Sequence, residues 1–144
     1  MDTLVELMKK VLADTFTMYL KTHNYHWNVE GVNFQEYHAF FGSLYEELHG
    51  AVDPIAEHIR TLNVYSPGSL TRFSELTEIE DALDVPEAST MVANLLRDNQ
   101  TILDTLVMTA RVADKMNQIG LANFLQDRVD IHQKHAWMMR SMIK

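Results

Sequence analysis

The chain has no cysteine, so neither disulfides nor thiolate metal sites are available to it. Proline and glycine are scarce, three and five in 144 residues, and only one proline, Pro54, falls inside a helical pattern. Strand signals are equally thin, with no sustained period-two run bounded by tight turns. No apolar stretch approaches the roughly 18 residues of a membrane span. The opening stretch MDTLVELMKKVLADTF lacks the continuous apolar segment of a signal peptide, so a cytoplasmic location is expected. Basic residues are outnumbered, 12 Lys and Arg against 20 Asp and Glu, for a formal net charge of −8. Phosphate backbones are gripped mainly by Lys and Arg, which disfavours a large nucleic-acid footprint. An acidic surface suits cations instead. The length fits one domain, residues 1–144, able to bury its own core.

What the sequence does have is helical periodicity. Val5, Leu12, Tyr19 and His26 recur at sevens along residues 3–29 and define one face, and Gly31 and Asn33 supply the break after it. Phe34, Tyr37, Phe41, Leu44, Leu48, Ala51, Ile55 and Leu62 alternate steps of three and four, a bundle-type seam over about 34–62. A long loop follows, with a short helix expected around Ser69–Glu78, capped by Ser69. A third long helix is expected over about 87–116, with Leu95, Ile102, Leu106, Ala110 and Ala113 inward. A fourth covers about 119–143, with Leu125, Val129, His132, Ala136, Met139 and Ile143 inward. The expected fold is all-α: a four-helix bundle with a long crossover between helices two and three that carries a short extra helix. The nine methionines sit mostly at helical spacing and read as core filler.

Histidine is concentrated where the first two helices meet. Residues 21–38, KTHNYHWNVEGVNFQEYH, hold His23, His26 and His38, three of the seven in the chain. On the second helix, His38 lies about 70° from the apolar seam, while Asp53 and Glu57 lie roughly 170° and 130° away, on the back of the helix. Spaced by four, those two carboxylates are neighbours on that face. Solvent exposure is the ordinary meaning of such a pair, and contact with another chain is the alternative. A di-iron site inside one bundle needs Glu-x-x-His on two helices. Only Glu46-x-x-His49 matches, so an intra-bundle centre is excluded. Pro54 either kinks the second helix, with Gly50 four residues back able to yield, or starts a new helix capped by Asp53. The unbroken phase of the seam favours the kink.

The segment HWNVEGVNFQEYH, followed by DPIAEHIRTL and, near the C-terminus, by HQKHAWMMRSMI, resembles the Dps-type mini-ferritins, and the match covers the whole chain. The resemblance implies a ferritin-like bundle assembled with further copies of itself into a hollow cage of twelve subunits. It implies a ferroxidase site at each two-fold interface, with two histidines from one chain and carboxylates from the other. Carried over residue by residue, His26 and His38 match the histidine ligands, and Asp53 and Glu57 match the D-x-x-x-E carboxylates. Trp27 matches a tryptophan beside the site that intercepts oxidising equivalents. As in such proteins, iron would be bound as Fe(II), oxidised preferably by hydrogen peroxide, and kept as ferric mineral, which protects against oxidative damage. Imidazole and carboxylate together are suitable ligands for Fe(II). Asp127 and Asp130 are candidates for an iron-entry pore, or an ordinary solvated face.

Two departures from that pattern stand out. The family places an acidic ligand four residues after the second histidine, where this chain has Gly42. Glu46 lies one turn further on and leans back toward the N-terminus, but about 80° around the helix from His38. The alternatives are a weakened site or a structural cage whose site Gly42 has impaired. A nucleoid protein acting on DNA is the other alternative. Members that bind DNA commonly use a lysine-rich tail, and here helix one is expected to begin almost at Met1 and the last to end near Lys144, so no direct DNA binding is expected. Among the remaining histidines, His132 and His135, three apart, could hold a metal as a pair, but packing in the core is the expectation; His23 is expected beside the site, and His49 and His58 flanking the carboxylates.

Overall fold

Each turn between two long helices that are joined directly, and the exit from α2, pass through left-handed backbone. Gly31 has φ +102°, and Asn33, Asn63 and Asn117 have φ of 66°, 65° and 60°. Glycine has no Cβ to clash there, and asparagine is among the few other residues that tolerate it. The computed structural model describes all residues, 1–144. Between these turns run α1 (Asp2–Asn28), α2 (Phe34–Thr61), α3 (Leu70–Leu76), α4 (Ala88–Lys115) and α5 (Ile119–Met142). The architecture is an all-α four-helix bundle with a short helix in the crossover, as expected. α1 pairs with α2 and α4 with α5, the two pairs meet through α1 and α4, and α3 rests on α1. Ser69 caps α3, its hydroxyl accepting from the Arg72 amide at 3.2 Å.

The seams expected from periodicity form the core, including Leu12 on α1, Phe41, Leu48 and Ile55 on α2, Leu95 and Ile102 on α4, and Leu125 and Met139 on α5. Three positions differ. Ile59, not Leu62, carries the α2 seam into its last turn. Phe34 is 41% exposed because it opens α2 at the rim of the bundle, where it stacks on His38 instead. Ile143 follows the last turn of α5 and is 40% exposed. α2 runs unbroken through Pro54, so Asp53 is an interior helical residue and does not cap a second helix.

The crossover has little secondary structure, so its backbone needs partners elsewhere. α1 supplies them. Asp14 accepts from the Thr77 hydroxyl at 2.6 Å and the Glu78 amide at 2.9 Å. Lys21 donates to the Glu80 carbonyl at 2.9 Å while lying 2.8 Å from the carboxylate of Asp98 on α4, both side chains buried. Asn24 donates to the Ala82 carbonyl at 3.3 Å.

A polar layer crosses the core between α2, α4 and α5. Arg128 donates twice to Glu47, from Nη1 to Oε2 and from Nη2 to Oε1, and His135 Nε2 lies 2.8 Å from Oε1. His132 holds Asn99 by two bonds, ring Nδ1 to the amide oxygen at 2.7 Å and backbone carbonyl to the amide nitrogen at 2.9 Å. Nη2 of Arg128 lies 3.1 Å from His132 Nε2. As Arg only donates, Nε2 accepts and Nδ1 carries the hydrogen, so His132 is neutral. Burial, then Arg128 and His135, push its pKa well below 6.5. Burial would raise Glu47, but bonds from His135 and Arg128 and their charges overcome it and hold the carboxyl at about 2.

Both shifts are downward, so both contribute stability that is present at neutral pH and lost in acid. Stability should begin to fall below pH 6.5 as unfolding lets His132 take up a proton, and fall again between 4.5 and about 2 through Glu47. Urea denaturation across that range checks it, with His132→Gln expected to flatten the upper leg. Glu47→Ala strands Arg128 in the core and should cost about 3 kcal/mol at pH 7.

Candidate metal centre

Where α1 ends and α2 begins, two histidines hold each other's backbone. His26 Nδ1 lies 2.7 Å from the His38 carbonyl, and His38 Nδ1 lies 2.7 Å from the His26 carbonyl. A carbonyl oxygen only accepts, so each Nδ1 donates and each neutral ring keeps its lone pair on Nε2. A carbonyl that takes the Nδ1 hydrogen in this way fixes the ring and leaves Nε2 free for a metal. The rings stack at 3.8 Å with 15° between planes, and Phe34 stacks on the far side of His38 at 5.0 Å. Two nearly parallel rings at that spacing set the two imidazoles side by side.

Gly42 closes the other side. A Cβ built there would stand 3.1 Å from His26 Cε1 and 3.3 Å from Nδ1. The imidazole therefore lies against the bare backbone of α2, in space that an acidic side chain at 42 would need. Glu46 does not replace it within one chain, because no three of the chain's His, Asp and Glu residues come together in a group able to hold a metal.

Asp53 and Glu57 sit on the exposed face of α2. They are fifteen and nineteen residues beyond His38, so about 22 to 28 Å along the helix axis. The histidine pair and the carboxylate pair of one chain are thus held apart by a rigid rod. A hydrogen bond with Asp53, and then its charge, raise the Glu57 carboxyl above its ordinary value. A cation between the two would relieve that repulsion. Asp127 and Asp130 are exposed on α5.

The other histidines separate by role. His23 lies outside the pair, its ring 6.1 Å from that of His26, and burial and then His26 and His49 lower its pKa. Trp27, 60% exposed, packs on His23 at 4.1 Å. His58 packs against Phe124 at 4.5 Å, and burial lowers its pKa. His132 and His135 are core residues as expected, but their polar partners Glu47 and Arg128 carried no sequence signal. They lie 81 residues apart on helices whose alignment periodicity alone does not set.

The sequence profile of the ferritin-like domain matches residues 5–144. The DNA protection during starvation protein of Brevibacillus brevis is 29% identical over 138 residues, 96% of this chain and 93% of that protein. The crystal structure of a Dps protein from Bacillus brevis superposes with a TM-score of 0.95 at 28% identity, covering 99% of this chain and 96% of that one. The chain belongs to the ferritin-like family, as a Dps-type mini-ferritin. An uncharacterised low temperature-induced protein of Nostoc is also similar to this mini-ferritin, 38% identical over 142 residues, 97% of this chain and 79% of that protein. Membership assigns it, in general terms, to iron storage and protection against oxidative damage.

Gly42→Ala gains helix propensity of about 1 kcal/mol but forces the His26 ring to give way. Nitrogen-15 NMR of the imidazoles should find both His26 and His38 as Nδ1–H tautomers in the wild type. In Gly42→Ala the His26 signal should move while that of His132 stays in place.

Proposed function

We propose that this mini-ferritin takes Fe(II) as substrate at a site built from two copies of the chain, oxidises it, and keeps the ferric product inside a hollow cage of twelve subunits. His26 and His38 of one copy bind through Nε2, and Asp53 and Glu57 of its two-fold partner close the site. The observation that carries this reading is the pairing of prepared imidazoles with an exposed, mutually repelling carboxylate pair that the length of α2 keeps about 22 Å away. Neither half makes a metal site alone, and a two-fold axis that brings the start of one α2 beside the carboxylates of another would make two complete ones.

Hydrogen peroxide is the preferred oxidant in this reading. Neutral imidazole and carboxylate leave coordination positions open for it. Consuming Fe(II) and peroxide together removes both reagents of hydroxyl-radical formation. The partner's carboxylates draw the cation in, and the acidic surface, net −8, raises its local concentration. Direct DNA binding is disfavoured by the same charge. No helix is long and apolar enough to cross a membrane.

Gly42 favours a second reading, a cage whose iron chemistry is impaired. Fe(II) oxidation by stoichiometric peroxide, followed by absorbance, separates the two. Fast oxidation in the wild type that is lost in His38→Ala, Asp53→Ala supports the enzyme, and equal rates support the cage. Complementation tests the shared site. Neither His38→Ala nor Asp53→Ala alone should be active. Co-assembled in equal amounts they should recover about a quarter of wild-type sites, since half the two-fold pairs are mixed and each mixed pair has one intact site of two.

A further inference from the structure

We propose that Tyr19, His23 and Tyr45 form a one-electron relay beside the iron-oxidising site, through which a single bound Fe(II) and a tyrosine together reduce hydrogen peroxide. The relay rests on the function proposed above.

Three contacts define it. The Tyr45 ring lies 5.2 Å from that of His26, close enough for an electron to pass between them. Tyr45 stacks face to face on His23 at 3.9 Å, with 8° between the planes. The Tyr19 hydroxyl lies 3.1 Å from His23 Nδ1, and that nitrogen has no other partner. A phenol whose hydroxyl donates to an imidazole can lose its electron and its proton together, which avoids a charged phenoxyl cation. Tyr19, His23 and His26 sit at i, i+4 and i+7 on one face of α1, and Tyr45 meets them from α2. Tyr25 differs: it is fully buried and its hydroxyl is held by Asn94 at 3.2 Å.

Gly42 supplies the need for such a relay. The position that would help hold a second ion has no acid and is crowded by the His26 ring. One Fe(II) gives one electron, and peroxide takes two. With Tyr19 as the second donor, Fe(II), hydrogen peroxide and the phenol yield Fe(III), water, hydroxide and a neutral phenoxyl radical. The O–O bond breaks, iron and phenol are each oxidised by one electron, and the phenolic proton passes by way of His23 to the oxygen released. A second Fe(II) and a proton then return the radical to the phenol. No hydroxyl radical is set free.

The test uses the assembled protein with equimolar Fe(II) and peroxide, freeze-quenched for electron paramagnetic resonance, with ring-deuterated tyrosine to identify a phenoxyl signal. The expected result is a phenoxyl radical in the wild type that falls to background in Tyr19→Phe and, independently, in Tyr45→Phe. His23→Gln should abolish the solvent deuterium effect on its formation, and trapped hydroxyl radical should rise in all three. Normal oxidation rates with an unchanged radical in Tyr19→Phe, or a radical lost only in Trp27→Phe, would overturn the relay and leave the ferroxidase reading standing. Wild type no faster than His38→Ala, Asp53→Ala overturns that reading and the relay with it.

Discussion

The reciprocal bond between His26 and His38 governs the functional end of the molecule. Each imidazole is tied by Nδ1 to the other's backbone carbonyl at 2.7 Å, so the last turn of α1 and the first turn of α2 cannot part without releasing both rings. The His26 carbonyl lies in the last turn of α1, where carbonyls lack intrahelical partners, and it takes the His38 ring as its donor, while the His38 carbonyl near the start of α2 accepts the His26 ring. The ring stack, the bare backbone at Gly42 and the approach of Tyr45 all follow from where those rings are held. A substitution at either histidine therefore removes an imidazole and loosens a hairpin at once.

At the opposite extreme, α2 acts as a spacer. Its seam buries Phe41, Leu44, Leu48, Ala51, Ile55 and Ile59, which fixes the rod against the bundle and turns Asp53 and Glu57 outward. Pro54 would ordinarily interrupt such a rod. Apolar residues on both sides of it stay in phase and bury against the same neighbours, and that burial outweighs the lost backbone bond.

Most of the fold was legible because helix ends and helix faces are local properties. Gly31, Asn33 and Ser69 mark boundaries by their own conformational preferences, and the seam residues announce themselves by spacing. His26 and His38 stood out through their motif. The geometry that prepares them, Nδ1 to carbonyl across the turn, needed coordinates. The Glu47–Arg128 pair was not legible, because a Glu in an acidic helix looks like a solvated residue until a guanidinium 81 positions away is seen to reach it. Gly42 was read as a missing ligand. In three dimensions it is also a tight space, since the His26 ring stands 3.1 Å from where a Cβ would be. The steric half of that fact depends on a contact sixteen residues away and leaves no trace in one sequence.

The polar layer has a consequence for how this protein can drift over evolutionary time. Aliphatic core positions accept exchanges such as Ile for Leu at a cost below about 1.5 kcal/mol, so most of the interior can change one residue at a time. Glu47, Asn99, Arg128, His132 and His135 form one connected set of donors and acceptors. Losing Glu47, Asn99, Arg128 or His132 leaves a buried partner short of a bond, and losing His135 removes one of the bonds that hold Glu47. Descendants of this chain should therefore keep the set whole or replace it together, and those five positions should carry the lineage's memory long after the surrounding aliphatics have been reshuffled.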